Sequence, residues 1–396
     1  MAYINFKEEK YVANKELRNR KKNNSKLFEE YMESKDLGKE YIADNELSFK
    51  EFQEKHFGNI RIVDEDEFLV IENKEVLCSI FNNCSFNNIK FKECKFIGCT
   101  FNDCKFHSGG VIFENCIFIK EDSSKKPTLN NKENFSCCFN KCSIYAKFTG
   151  STLSYGIFQE CIIHNTLFEL SDMNNIIIID SELNKIVISD SNLVGIKVVN
   201  TYMIDFEFND KLQSKLDEKS FFDKIPIREK TREEFEGLYM IYEVIGNKCR
   251  ENNLKNNFGE YYYICKKMQR KTLDFIPRIF SYIYDLTCGY GERPLYSIVS
   301  SLGIIIIFAL LYMFTGFDYN GININYNLNN LVYNDIKLIS SNFMKSFTYS
   351  IYVFSAVGSN EITPTIVSQV IGDVEIIIGI IMMGIGVGAV TRKLVR

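Results

Sequence analysis

Residues 94–106 read Cys94 Lys95 Phe96 Ile97 Gly98 Cys99 Thr100 Phe101 Asn102 Asp103 Cys104 Lys105 Phe106. A phenylalanine returns at every fifth residue, and a cysteine stands two places before each one. Toward the N-terminus the beat continues through Phe91, Phe86 and Phe81, with Cys84 and Ser79 among the small partners. It breaks at Gly109 Gly110, returns at Cys116 and Phe118, lapses through the polar run from Glu121 to Asn134, and resumes at Cys137 and Phe139. From Phe148 it runs through Leu153, Phe158, Ile163, Phe168, Met173, Ile178, Leu183, Ile188, Leu193, Val198 and Met203 to Phe208. Ser151, Gly156, Cys161, Thr166, Ser171, Ser181, Ser191 and Thr201 keep the small place. A period of five fits neither the helical nor the strand periodicity. It fits a solenoid that turns one large and one small residue inward on each side, so that equivalent residues of successive coils stack.

The triplets Ser191 Asn192 Leu193 and Ser171 Asp172 Met173, repeated in this phase over 71–208, resemble the pentapeptide repeat family. The resemblance implies a right-handed quadrilateral β-helix with roughly twenty residues per coil and about six coils. The cysteines from Cys78 to Cys161 are then read as compact fillers of the small inward place. Their spacing is not that of zinc ligands, and only three histidines, His56, His107 and His164, could join them. No tightly bound cofactor is expected. Lys90, Lys92, Lys95, Lys105, Lys141, Lys147, Lys185 and Lys197 interrupt any acidic surface, so a scaffold or regulatory role suits the repeat. Residues 128–137 read as a loop thrown out from one edge.

The rest of the 396 residues divides around this repeat. Residues 1–70 form a charged helical cap region, read as short amphipathic helices joined at Asn23 Asn24. Its first residues, Met1 to Lys15, are too charged for the apolar core of a secretory signal. Residues 209–288 form a connector: a terminal helix over Asp210 to Asp217, a helical hairpin of Thr231 to Arg250 and Tyr261 to Arg270, and an amphipathic helix suited to a membrane interface. A formal net charge of -4 gives no case for a nucleic-acid partner. No nucleophile and base pair, phosphate loop or metal cluster emerges, so no enzyme is expected.

Residues 289–396 are different in kind. Leu295 to Phe317 carries no charge, and Ile366 to Val390 carries only Asp373 and Glu375; both runs are long enough to cross a bilayer. Arg270, Lys271, Arg278 and Arg293 precede the first run, and Arg392, Lys393 and Arg396 follow the second, while the intervening stretch has only Lys337 and Lys345. The charge bias puts both termini in the cytoplasm and makes this a multi-pass protein of the cell membrane. Between the runs, Asp318 to Ile339 reads as an exposed turret, and Asn342 to Phe354 as a half-helix too short to span. Its carbonyl end is aimed at the polar loop beyond, an end that favours a cation.

That loop is Ser355 Ala356 Val357 Gly358 Ser359 Asn360 Glu361, with Pro364 after it. Two spans, a half-helix, a polar loop and a proline resemble the pore domain of two-span potassium channels over about 289–393. The turn Tyr290 Gly291 Glu292 Arg293 Pro294 resembles the one that precedes the first span in pentapeptide repeat proteins carrying a channel domain. The channel family's filter reads Thr-Val-Gly-Tyr-Gly-Asp. Here Ala356 takes the threonine place, Val357 and Gly358 match, and Ser359, Asn360 and Glu361 take the places of tyrosine, glycine and aspartate. The resemblance implies a homotetramer in the lipid bilayer, with monovalent cations held at the backbone of Ala356, Val357, Gly358 and Ser359. Potassium is the first permeant ion, and the departures admit sodium. Asp373 and Glu375 are candidates for the pore wall or for pairing behind it, and Gly379 for a gating bend. The competing expectation is a membrane-anchored pentapeptide-repeat scaffold with a non-conducting channel-like domain.

Overall fold

A computed structural model describes residues 4–61, 63–107, 109–120, 134–326, 336–358 and 362–395, in two units, Met1–Thr272 and Leu273–Arg396. In the first unit the five-residue beat builds a β-solenoid of parallel strands. One face is an eight-stranded sheet in which Phe52, Phe81, Phe101, Phe139, Phe158, Ile178, Val198 and Phe222 lie in register. Their rings stack coil on coil, 4.9 Å apart from Phe81 to Phe101 and 4.7 Å from Phe101 to Phe139 and from Phe139 to Phe158. Phe57, Phe86 and Phe106 form a second column, and Phe91, Phe113, Phe148 and Phe168 a third.

Pairing begins at Glu51 and continues to Phe222, beyond both limits read from the beat. With eight strands on one face, the stack is also taller than the six coils implied by the family resemblance. The end coils are joined by longer connections, through 59–68 and 209–220, which break the five-residue spacing without breaking the register. Asp210 to Asp217 is not helical. The Asp210 carboxylate instead accepts from the Ser214 amide at 2.7 Å and from Lys248 Nζ at 2.6 Å, and these bonds close the last turn. Burial alone would raise the Asp210 carboxyl, but the bonds from Lys248 and Ser214 outweigh it and hold it below its ordinary value.

The N-terminal region is one helix, α1 (Phe6–Ser34), rather than several short ones. Asn23 and Asn24 do not break it, because their side-chain amides reach across to the carbonyls of Asn134 at 3.0 Å and Ser136 at 3.1 Å. Ala13 and Leu17 cover the outward apolar residues Ile157, Ile177, Ile179 and Val199 of the eight-stranded face. Arg20 is buried and donates to the carbonyls of Tyr155 at 3.0 Å and Asn175 at 2.7 Å, and burial pushes its pKa down to about 10.

At the other end of the solenoid, α2 (Arg232–Glu251) and α3 (Lys255–Thr272) pair as a hairpin. Thr231 caps α2 by accepting from the Glu234 amide at 3.2 Å. Glu234 turns back to accept from the amides of Arg228 and Lys230, both at 2.7 Å. Tyr242 Oη accepts from the Ile225 amide at 2.7 Å, and Tyr261 Oη from the Phe222 amide at 2.9 Å, so the hairpin seals the last coil. Of residues 128–137, those up to 133 lie outside the described residues; Phe135 and Ser136 form a strand paired with Ile119–Lys120.

The second unit opens with α4 (Phe275–Cys288), whose Phe275, Ile276, Phe280 and Leu286 are exposed. The turn after it leads into α5 (Pro294–Thr315), with Pro294 at its first position, where no backbone N–H is needed. Part of the expected turret is a hairpin of Phe317–Tyr319 and Ile322–Ile324, turned at Asn320 and Gly321, both with positive φ. Residues 327–335 lie outside the described residues. The next helix, α6 (Ile336–Phe354), has 19 residues, about 28 Å at 1.5 Å per residue, and starts six residues before the expected Asn342. The strand Ile362–Pro364 then joins the hairpin as its third member, and α7 (Ile366–Val395) follows. Two helices, Pro294–Thr315 and Ile366–Leu394, are long and apolar enough to cross a membrane.

Candidate functional site

Helix α6 packs against both α5 and α7 and ends at Phe354. Ala356 takes φ 56°, a left-handed conformation that closes the helix as its cap residue. The Ala356 amide donates to the Val353 carbonyl and the Val357 amide to the Tyr352 carbonyl, both at 2.9 Å. This is the paired bonding of a Schellman turn. The carbonyls of Ile351, Tyr352 and Val353 therefore accept from the turn itself, and the open carbonyl end expected for α6 is largely occupied.

Ser355, Ala356, Val357 and Gly358 are exposed in the single chain. A cavity of about 240 Å³ beside them is lined by Tyr349, Tyr352, Val353, Ala356, Val357, Gly358 and Ile376. Ser359, Asn360 and Glu361 lie outside the described residues. The proline side of the loop is held firmly: Thr365 Oγ1 donates to the Thr315 carbonyl at 2.9 Å, and Ser368 Oγ donates to the Gly316 carbonyl at 2.5 Å.

The two acidic residues of α7 part company. Asp373 is exposed, while Glu375 is wholly buried between the three helices. Tyr312 of α5 donates to Glu375 Oε2 at 2.6 Å, and Ser350 of α6 is hydrogen-bonded to Glu375 Oε1. Tyr349 packs on Tyr312 with centroids 4.5 Å apart and on Phe317 at 5.2 Å. Gly379 lies against the end of α6, where a Cβ would meet the Phe354 carbonyl oxygen at 2.1 Å. Its lack of a side chain is a requirement of this contact.

At the far end of the two long helices, Arg392 Nη2 meets Glu292 Oε1 at 3.0 Å, and Glu292 is 1% exposed. Tyr312, Ser350, Ser368 and Glu292 carry this unit's polar contacts, and Gly372 leaves room for Tyr312 beside Glu375; sequence reasoning names none of them as a site residue. The signal was present, since a tyrosine and serines inside apolar helices ask for partners.

All 13 cysteines of the chain are free; in the solenoid Cys84, Cys94, Cys99, Cys104, Cys116, Cys137, Cys142 and Cys161 fill the small inward place, whereas Cys78 sits at a corner with positive φ and Cys138 faces outward beside Phe139. They also donate: Cys104 Sγ to the Phe81 carbonyl at 3.2 Å, and Cys142 Sγ to the Phe101 carbonyl at 3.3 Å. Ser171 makes the equivalent bond to Phe148 at 3.2 Å. Among the described residues no group of His, Cys, Asp and Glu is arranged to hold a metal ion.

Residues 81–122 match the family described as pentapeptide repeats (9 copies). The solenoid is a pentapeptide-repeat domain. Its fold is accompanied by similarity to QnrB1, a plasmid-mediated fluoroquinolone resistance protein, at 14% identity and TM-score 0.19, covering 43% of this chain and 92% of that one. A second solved structure is HetL, a pentapeptide repeat protein involved in heterocyst differentiation regulation from the cyanobacterium Nostoc sp. strain PCC 7120. It is 7% identical with TM-score 0.18, covering 35% of this chain and 62% of that one. No curated protein matches. The pentapeptide-repeat domain is joined to a helical region with two long apolar helices.

Proposed function

We propose that this protein is a membrane-anchored pentapeptide-repeat scaffold whose two-span unit, closed in a ring of copies, passes monovalent cations. The anchoring half rests on α5 and α7. Ile298, Val299, Ile307, Val370, Ile377 and Val387 are exposed on them, an apolar surface that suits lipid or a second copy better than water.

The pore half rests on one observation, the course of the chain between those helices. A helix packs against both spans and stops in a tight turn. It presents the backbone of Ala356 to Gly358, and the chain then returns to the second span through a short strand. Backbone oxygens brought together from several such loops can replace the water shell of a cation. One chain lends one loop, so a ring needs copies; the potassium-channel resemblance makes that number four, a homotetramer. Gly384 and Gly388 support close approach of copies, since each faces open space within one chain. Potassium is the principal permeant ion and sodium the second, because Ala356, Ser359 and Asn360 replace the residues that stiffen the family's filter. The charge bias puts both termini on the cytoplasmic side of the cell membrane.

The test is a reversal potential under bi-ionic potassium and sodium, with the full chain in a planar bilayer. Cation currents with a modest potassium preference are expected; currents strongly selective for potassium would contradict the weakened filter. The second reading is a scaffold whose membrane unit only anchors and assembles it. The family match favours this reading, since it is confined to the repeat. It predicts no current at all.

A further inference from the structure

We propose that Glu375 is the positioning residue of the loop at 355–358: a joint that both accepts and donates, tying α5, α6 and α7 together where α6 ends. The loop's role in conduction rests on the pore reading above; the joint itself does not.

The face that α7 turns toward α6 carries Gly372, Glu375 and Gly379. The two glycines allow close approach. A Cβ at 372 would lie 3.4 Å from Tyr312 Oη and 3.6 Å from Val353, and one at 379 would strike the Phe354 carbonyl. Between them the Glu375 carboxyl hydrogen-bonds to both neighbours. It holds Tyr312 of α5 at 2.6 Å and Ser350 of α6, and Ser350 immediately precedes Ile351, Tyr352 and Val353, the residues whose carbonyls the loop turn caps.

The hydrogens in this joint can be counted. Tyr312 Oη spends its single hydrogen on Glu375. Ser350 Oγ has one hydrogen and faces two oxygens, Glu375 Oε1 and the Ile305 carbonyl at 2.9 Å. A group at 375 that only accepts leaves one of these oxygen pairs without a hydrogen. One that accepts from Tyr312 and donates to Ser350 completes the chain from α5 through α7 to α6 and back to α5. A carboxylic acid does this, and so does the amide of glutamine. Alanine does neither: it leaves the buried Tyr312 hydroxyl without its acceptor and unties Ser350 from α7.

The experiment uses the full chain in detergent and in bilayers, with Glu375→Gln, Glu375→Ala and the milder pair Tyr312→Phe with Ser350→Ala. Hydrogen exchange is read at the Ala356 and Val357 amides, with the hairpin at 317–324 as the internal control, and the potassium-to-sodium permeability ratio is read in parallel. Glu375→Gln is expected to keep wild-type exchange and ratio. Glu375→Ala, or the milder pair should that variant not fold, is expected to speed exchange at 356 and 357 about tenfold with the hairpin unchanged, and to shift the ratio. Unchanged exchange in either folded variant would overturn the joint, as would fast exchange in Glu375→Gln. If the wild-type chain passes no cations, the pore reading fails while the exchange measurement still decides the joint.

Discussion

Leu170 holds φ at 51° on a corner of the solenoid where Gly150 and Asp190 stand in the adjoining coils, and its side chain is 58% exposed. The left-handed conformation recurs at every fifth residue, at Asn165, Asn175, Asp180, Lys185 and Asn200 among others. It costs an ordinary side chain roughly 1 kcal/mol, and asparagine less. Leu170→Asn is therefore expected to stabilise the solenoid by about 1 kcal/mol, measured as a rise in the denaturant midpoint of the full chain. A lower midpoint would show that the leucine contributes a contact that its exposure hides. This level of detail was only half legible in the sequence. The inward Phe and the small residue before it were plain from their spacing. The corner two residues after the Phe looked free, although Asn83, Asn88 and Asp103 already marked it. Nor could spacing show that Cys104 or Ser171 hydrogen-bonds the coil before it, which is why cysteine and serine interchange at that place.

Among elements, the contact between α6 and α7 is the one that a single methyl group tests. Gly379→Ala puts a Cβ into the Phe354 carbonyl, whereas Gly384 has nothing within 4 Å of its added Cβ. Overpacking of this kind costs on the order of 1–3 kcal/mol. Gly379→Ala is expected to lower the melting temperature of the detergent-solubilised unit by several degrees, and Gly384→Ala to leave the fold of one chain unchanged. Equal effects would mean that α6 does not lie against α7 at Phe354. Both long helices were legible from their unbroken apolar runs. The early start of α6 was not, because Ser340 and Ser341 are residue types that cap a helix and stand just before Asn342. The supposed helix over Asp210 to Asp217 failed for the opposite reason: its polar side chains serve the last coil and Lys248 rather than a helix of their own. The continuity of α1 through Asn23 and Asn24 depends on the solenoid face beside it, and a local reading has no access to such a partner.

For the whole molecule, the pentapeptide repeat accounts for the stacked core of the first unit, and the loop between two apolar helices carries the proposal for the second. The repeat was recoverable from periodicity alone because every coil reports the same inward pair. The proposed pore is legible only as an order of parts, since a ring of loops would need several copies and each sequence contains one. The most direct measurement is cation flux in liposomes that hold the full chain and an outward potassium gradient, with a potassium ionophore added at the end to report the total. Protein-dependent potassium release before the ionophore, reproduced more weakly with a sodium gradient, is the predicted result. Liposomes that retain their potassium until the ionophore is added, with folded protein in the membrane, would contradict the pore and leave an anchored scaffold.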